Sequence, residues 1–200
     1  MVWTFDCETD AEMNANAPGI TLFETAIGLC GISWSERGIT GVQLPAARED
    51  LTWARLRRRT RGARELPAPP YVATAINGIT ALLSGEDADL SSIELDLTGI
   101  EPFDRRVAEV AREIPAGETL AYGEIASRIG APGEARDVGA ALGRNRFPII
   151  VPCHRVVAAN GRLGGFSAPG GTRTKLRLLE IERRAHGSAP ALFEGDGLAA

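Results

Sequence analysis

Pro148-Ile-Ile-Val-Pro-Cys-His-Arg-Val-Val157 is an apolar segment with a thiol, an imidazole and a guanidinium at its centre. Cysteine and histidine together are a pair that proteins use for nucleophilic catalysis. A free cysteine is more often inert core, but His154 is one of only two histidines in the chain. In an extended chain Cys153 and His154 would point to opposite sides, so a sharp turn or a water molecule must connect them.

The composition is that of a soluble globular protein. The chain has 200 residues, 44% of them hydrophobic and 24% charged, which allows one large domain or two small ones. No apolar window approaches the roughly 18 residues of a membrane span, and the acidic N-terminus, without a basic residue before Arg37, is not a secretory signal. Three widely spaced cysteines fit a reducing cytoplasm better than a disulfide framework.

The basic residues are concentrated around the Cys-His pair. The net charge of the whole chain is −4, yet residues 134–184 contain ten Lys and Arg against four Asp and Glu. The distribution of charge matters more than its sum for binding a polyanion. The second half of the chain is therefore the candidate partner of nucleic acid.

The first half predicts a mixed α/β domain over residues 19–98, after a mobile acidic lead-in at 1–18. β-favouring segments separated by turn residues predict an antiparallel meander, and strict alternation predicts one further strand. The predicted strands are 21–26, 29–33, 39–44 and 92–98, and the predicted helices are 49–60 and 71–83. The arginines of Arg55–Arg64 are either a phosphate-binding patch or the solvated face of a helix.

The second half, 99–186, predicts a mostly helical domain, followed by a flexible tail at 187–200. Short helices at 122–129 and 134–144, joined by a tight turn, are typical of a helix-turn-helix. Gly139 within the second of them predicts a close helix crossing, because glycine costs about 1 kcal/mol of helix propensity. Asn160-Gly161 predicts a hairpin turn. Thr172 is expected to cap a last helix, with Leu176 and Leu179 on its inner face.

Four motifs in this half resemble those of the O6-alkylguanine-DNA alkyltransferases, also called methylated-DNA–protein-cysteine methyltransferases. They are Ala121-Tyr-Gly-Glu-Ile-Ala126, Gly143-Arg-Asn145, Pro152-Cys-His-Arg-Val156 and Gly161-Arg-Leu-Gly-Gly-Phe-Ser167. The resemblance covers about Phe103 to Glu182. It implies an α+β fold, with an N-terminal α/β domain that has a small antiparallel sheet and a winged helix-turn-helix-like C-terminal domain. It also implies a repair protein that flips O6-alkylguanine out of double-stranded DNA and transfers the alkyl group irreversibly to Cys153.

The resemblance further implies a Cys–water–His–Glu relay. Cys153 and His154 are its first members, and the matching motif assigns the carboxylate to Glu182. Glu180 is a competitor two residues away, on another side of the helix. Tyr122 matches the tyrosine that rotates the nucleotide and protonates the departing base, and Asn145 matches the asparagine that joins the recognition helix to the active-site strand.

The remaining site residues are implied to bind DNA or the extruded base. Arg136 matches the arginine finger that replaces the flipped base, and the helix that carries it would enter the minor groove. Phe166 and Ser167 match the lid of the pocket, and the carbonyl groups of Cys153 and Val156 would accept from the guanine amine. The further positions assigned to this surface are Ala135, Gly139, Arg146 and Pro148.

Several positions depart from the family pattern. Arg146 stands where many members have proline, Phe166 replaces a frequent tyrosine, and Asp104 replaces a common glutamine. Cys7 and Cys30 resemble the zinc cysteines of some members, but the other ligands are missing, so we expect no structural zinc and no cofactor. We expect a monomer.

Two other functions are compatible with parts of the pattern. An alkyltransferase-like damage sensor would flip the base and transfer nothing, but such proteins lack the cysteine that stands here as Cys153. A Cys-His hydrolase would need an oxyanion hole and a substrate pocket at a strand-to-helix turn, and neither is visible in the sequence.

Overall fold

A computed structural model describes residues 18–60 and 62–186. The predicted lead-in, apart from Pro18, and the predicted tail lie outside the described residues. Among the helices that are described, none is long and apolar enough to cross a membrane.

The first half is built on a small sheet. Strands β1 (Gly19–Phe23), β2 (Cys30–Ser35) and β3 (Gly38–Gln43) form the predicted antiparallel meander. A two-residue strand, β4 (Arg64–Glu65), pairs in parallel with β1, so the order is β3-β2-β1-β4 and the sheet is mixed. The α+β class predicted from the sequence is confirmed.

Two helices cover this sheet. Helix α1 (Glu49–Arg59) lies against β1, β2 and β3, and helix α2 (Pro70–Ser84) contacts β3. Proline at the start of α2 suits the first turn of a helix, where its missing N–H has no partner to lose. The buried residues Val72, Ala75 and Ile79 of α2 recur at helical spacing and join the core.

The strand predicted at 92–98 is wrong. The segment meets the sheet at a single bridge, in which Ile39 donates to the carbonyl of Glu94 and the N–H of Asp96 donates to Ile39. The buried Asp96 carboxylate then accepts from Ser35 and Thr98, which turns the chain away from the sheet edge. Local side-chain hydrogen bonds of this kind compete with strand pairing.

The second half contains four helices and a short parallel ladder. The helices are α3 (Pro102–Arg112), α4 (Tyr122–Arg128), α5 (Ala135–Gly143) and α6 (Thr172–Ala185). Strands β5 (Leu120–Ala121) and β6 (Val156–Val157) pair in parallel. Helices α4 and α5 pack on each other and on α3 through Ile125, Val138 and Val107, which is the predicted helix-turn-helix.

Three local expectations fail. A Cβ added to Gly139 would lie 3.8 Å from the Tyr122 ring, an ordinary contact, so no close helix crossing explains this glycine. Gly171 is the N-cap of α6, and Thr172 is its first helical residue. At Ala159–Gly161 a 3-10 turn closes through a hydrogen bond from Ala158 to the Arg162 carbonyl, without a flanking strand pair.

The two halves share one core. Buried apolar residues of the sheet, of α2 and of α3 to α6 form a single cluster that includes Ile32, Ile79, Val107 and Leu178. The N–H of Val42 in β3 donates to the carbonyl of Arg146 at 2.8 Å. The loop after α5 is thereby fixed to the sheet, and the boundary near residue 98 stays a prediction.

Candidate active site

Cys153 lies in a short turn that follows one strained residue. Cys153–Arg155 is a single 3-10 turn, preceded by Ile149 at φ 77°, a conformation that β-branched residues rarely adopt. Asn145 fixes the loop from α5: its side-chain amide donates to the Val151 carbonyl at 2.9 Å, and its Oδ1 accepts from Phe147 N–H at 2.8 Å. Backbone strain persists only where the surroundings enforce it, and the two Asn145 hydrogen bonds hold the loop on either side of Ile149.

Cys153 lies at the base of a pocket between the helix-turn-helix and the loop after β6. The pocket encloses about 510 Å³, and the thiol is 9% exposed. Its lining includes the predicted residues Tyr122, Ala135, Arg136, Gly139, Phe166 and Ser167. Burial raises the pKa of the thiol, while the Asn145 amide, the Lys175 charge and the backbone N–H groups of Cys153 and His154 act in the opposite direction.

His154 and Glu182 form a buried pair behind the cysteine. Glu182 is 5% exposed, and its Oε1 lies 2.8 Å from His154 Nε2. Arg155 donates to the same carboxylate through Nε at 3.1 Å and Nη2 at 2.9 Å, and the N–H of Gly117 donates at 3.3 Å. Burial alone would raise the pKa of Glu182, but His154 and Arg155 lower it to about 2.

This pairing determines the imidazole tautomer. A carboxylate with a pKa of about 2 is ionised at neutral pH and can only accept, so His154 Nε2 must carry the proton. In the neutral ring Nδ1 is then the acceptor. Nδ1 is buried, and no described residue forms a hydrogen bond with it. The ring therefore offers a basic nitrogen on the side away from Glu182.

A buried lysine completes the polar surroundings. Lys175 is fully buried in α6, donates to the Val156 carbonyl at 2.5 Å, and lies 5.8 Å from the centre of the Tyr122 ring. Burial lowers the pKa of Lys175 to about 8, against the opposing effect of Cys153. The ammonium is thus a positive charge close to the thiol at neutral pH.

Tyr122 forms one wall of the pocket. Burial, followed by the neighbouring charge of Cys153, raises the pKa of its phenol, which keeps the hydroxyl protonated. Gly164 has φ 66°, and a Cβ there would lie 3.1 Å from the phenol oxygen. A side chain at position 164 would push the ring out of place, so glycine at this position permits the close approach of the backbone to Tyr122.

The outer face of the helix-turn-helix is open. A groove of about 760 Å³ runs over the start of α4 and α5, and both Ala135 and the exposed Arg136 line it. Arg136 therefore borders both this groove and the Cys153 pocket. The predicted site residues Pro148 and Val156 are buried and do not belong to the described lining of the Cys153 pocket.

Sequence reasoning missed two members of the site, Arg155 and Lys175. Arg155 was read only as part of the motif, although an arginine within an apolar run needs a buried acceptor. Lys175 lies seven residues before Glu182, two helical turns away on the same face. Once Glu182 is placed inward, that spacing identifies Lys175 as well.

Within the described ranges, no three His, Cys, Asp or Glu side chains come together as metal ligands. Cys30 is buried in β2 with Thr25 as a neighbour, and Cys7 lies outside those ranges.

The fold and the site together define a class of protein. It is an α+β protein in which a helix-turn-helix borders the pocket of a buried cysteine, and a histidine follows that cysteine in the sequence. Residues 102–184 match the family model for the DNA-binding domain of 6-O-methylguanine DNA methyltransferase. The chain is 46% identical over 129 residues to the methylated-DNA–protein-cysteine methyltransferase of Mycobacterium leprae, covering 64% of this chain and 76% of the relative.

Solved structures of two proteins from Mycobacterium tuberculosis are similar to this chain. The crystal structure of Mycobacterium tuberculosis O6-methylguanine methyltransferase superimposes with a TM-score of 0.68 at 36% identity, over 88% of this chain and 96% of that one. The structure of Mycobacterium tuberculosis OGT in complex with DNA gives 0.67 at 36% identity, over 84% and 94%. This chain belongs to the methylated-DNA–protein-cysteine methyltransferase family, as its motifs predicted.

Proposed function

We propose that this protein repairs DNA by direct reversal, moving the alkyl group of O6-alkylguanine onto Cys153. The observation that carries the proposal is the position of the thiol, at the base of a pocket bordered by the helix-turn-helix. The thiol is followed by a histidine whose Nδ1 forms no hydrogen bond with a described residue. Family membership supports the same activity.

The transfer is a substitution at saturated carbon. The Cys153 thiolate attacks the alkyl carbon, an S–C bond forms as the C–O bond breaks, and the electrons of that bond remain with guanine. The departing base then needs a proton. Tyr122 lines the pocket and keeps its hydroxyl proton because burial raises its pKa. Its phenol is the donor we assign.

The thiolate must form against the effect of burial. His154 Nδ1 is the acceptor we assign for the thiol proton, with a water molecule as the bridge. The imidazolium that results would be stabilised by the ionised Glu182, which Arg155 holds in place. Asn145 and Lys175 act on the same sulfur by lowering its pKa. The thiol therefore has both a base and stabilising charges, as an activated nucleophile requires.

Access to the base requires extrusion from the duplex, because the reactive group is inaccessible inside the stack. Arg136 borders both the outer groove and the pocket. We assign it the place of the extruded base, with α5 in the minor groove and the small residues Ala135 and Gly139 permitting close approach. Phe166 and Ser167 would close over the base.

Substrate contacts to the exocyclic amine are assigned to the carbonyl groups of Cys153 and Val156. The Val156 carbonyl already accepts from Lys175, and its second lone pair remains for the guanine amine. The buried Pro148 would shape the pocket from behind. The partner is double-stranded DNA, and one chain supplies every assigned group, which is consistent with a monomer.

The product is a thioether, which no assigned group of the site can cleave. Each molecule therefore acts once. Because the thiol must stay reduced before it reacts, we place the protein in the cytoplasm. We assign the sheet and its helices, residues 19–98, to support of the DNA-binding and alkyl-acceptor domain at 99–186.

The experiment is to count methyl groups transferred from a methylguanine duplex per protein molecule, with the Cys153→Ala variant as control. One transfer per active molecule, and none in the variant, is the expected result. Many transfers per molecule would contradict the proposal. A generic ester is the parallel substrate, and its Cys153-dependent hydrolysis would favour the hydrolase instead.

A further inference from the structure

A second groove lies between the two halves of the molecule, apart from the reactive thiol. It encloses about 800 Å³ between strands β2 and β3, the end of α1, and the loop after α5. Arg59 and Thr60 form one wall, while Gly143, Arg144 and Arg146 form the other. We call it the arginine groove.

Two of the three arginines that line this groove have no acidic partner in the described part of the chain. No carboxylate is among its described lining residues, and neither Arg59 nor Arg146 has an ion pair within the described part of the chain. Arg144 differs, because Asp104 pairs with it at 2.7 Å. On the sheet wall, the uncharged side chains of Ser33 and Thr40 hydrogen bond to each other.

The arginines are close enough to repel one another. Partial burial, followed by the positive charges of Arg58, Arg55 and Arg146, lowers the pKa of Arg59. Residues from α1 and from the loop after α5, far apart in sequence, therefore contribute to one positive region. Guanidinium groups match the geometry of phosphate oxygens and can bind them with two hydrogen bonds each.

The arginine groove lies at the opposite end of α5 from Arg136, which places it along the path of a bound DNA strand. Gly143, the last residue of α5, lines both the arginine groove and the Cys153 pocket. Arg136 lies at the opposite end of the same helix. The helix rises roughly 10 Å between these two residues, which is about three base steps of a DNA strand.

We infer that the arginine groove binds backbone phosphates of the damaged duplex, about three base pairs from the nucleotide held over Cys153. The inference rests on the proposed function, because it takes the duplex to lie along α5. It assigns a DNA contact to α1, and thus gives the first half of the chain a part in binding. It favours phosphate binding over a solvated helix face as the interpretation of Arg59 in α1.

The test compares R59Q/R146Q with wild-type protein in binding isotherms at several salt concentrations. Two duplexes are used: a long one, and a short one that ends before the arginine groove. Each phosphate contact contributes roughly 0.9 to the slope of log K against log salt. We expect R59Q/R146Q to lower the slope by about two on the long duplex and to leave it unchanged on the short one.

Two control variants sharpen the result. R57Q removes a neighbouring α1 charge that is paired with Glu65 and stacked on Trp53, and it should keep the wild-type slope. R59K/R146K keeps the charge and should retain most of the slope. An unchanged slope in R59Q/R146Q, or an equal loss on both duplexes, would overturn the inference.

Methyl transfer from free O6-methylguanine separates this inference from the proposed function. R59Q should transfer from the free base at the wild-type rate, since Arg59 does not line the Cys153 pocket. Wild-type protein without transfer activity would refute the proposed function, whereas an active R59Q/R146Q with an unchanged slope would refute the arginine groove alone.

Discussion

Cys30 and Cys153 are both buried cysteines, but they differ in the polar groups that surround the sulfur. Cys30 is fully buried within the antiparallel strands, and burial raises its pKa to about 11, with Thr25 as the opposing partner. Cys153 lies in a 3-10 turn at the base of a pocket, and Asn145, Lys175 and two backbone N–H groups oppose the effect of burial.

The difference teaches that burial alone does not separate an inert thiol from a nucleophile. Burial raises both pKa values, and at Cys30 the opposing group is one weak hydrogen bond with Thr25, in the turn between β1 and β2. The turn at Cys153 adds polar partners, a positive charge, a nearby base and a route for the substrate. A reactive thiol requires these additional groups around the sulfur.

The largest effect on methyl transfer is expected when each of the two cysteines is replaced by alanine in a separate variant. Cys153→Ala should abolish methyl transfer, while Cys30→Ala should keep the wild-type transfer rate and lose about 1 kcal/mol of unfolding free energy from a small cavity. Single-turnover assays and urea unfolding measure the two quantities. A Cys30→Ala protein that folds but cannot transfer would break the comparison.

The next largest effect concerns His154, the base next to Cys153. Cys30 has no such neighbour among the described residues. Glu182→Gln should slow transfer roughly 100-fold, because the imidazole loses the carboxylate that stabilises its charged form. Glu180→Gln, two residues away on the same helix, is the matched control and should react at the wild-type rate. Equal rates in the two variants would show that Glu182 serves only the fold.

The same pair of variants tests the electrostatics through pH. The folded-state pKa of Glu182 is about 2, below its ordinary value of 4.5, so its ionised form stabilises the fold above pH 4.5. That contribution is lost as pH falls from 4.5 towards 2. The free energy of unfolding of the wild type should exceed that of Glu182→Gln by roughly 3 kcal/mol at neutral pH. This difference in stability should decrease below pH 4.5. A difference that does not depend on pH contradicts the assignment.

Access to the sulfur is the third difference between the two cysteines. Arg136→Ala should slow repair of duplex DNA roughly 10- to 100-fold, since extrusion costs a few kcal/mol, and should leave transfer from free O6-methylguanine almost unchanged. Single-turnover rates on both substrates measure this. Similar losses on the two substrates would assign Arg136 to the pocket or the fold.

The smallest effect is expected from the charge near the thiol. Lys175→Met should slow transfer from the free base about tenfold at neutral pH and move the midpoint of the pH–rate profile upward, because the thiolate loses a cation. Arg173→Met, at an exposed position of the same helix, controls for the loss of charge. An unmoved midpoint would show that Lys175 only holds the Val156 carbonyl.

The spacing of apolar residues predicted the helices, but it could not identify the polar residues on their buried faces. In α6 the apolar positions suggested an inner face with Leu176, whereas the buried face is Lys175, Leu178, Leu179 and Glu182. Two charged residues on an inner face reverse the signal that hydrophobic spacing gives. They are buried because His154, Arg155 and the Val156 carbonyl supply their partners.

Long-range pairing explains the other differences. Alternation at 92–98 resembles a strand, but Asp96 binds Ser35 across the chain and turns the segment away. The arginine groove likewise joins Arg59 to Arg146, and no local pattern connects residues so far apart. The motif around Cys153 was predictable because its members are adjacent, and Glu182 was predictable through the family resemblance.

The most direct test of the central claim is to locate the methyl group after reaction with a methylguanine duplex. Digestion and mass spectrometry of the peptides containing Cys7, Cys30 and Cys153 would distinguish the three thiols. The account predicts one added methyl group on Cys153, as a thioether, and unmodified Cys30 and Cys7. A methyl group on Cys30 or Cys7 while Cys153 remains a free thiol would contradict it.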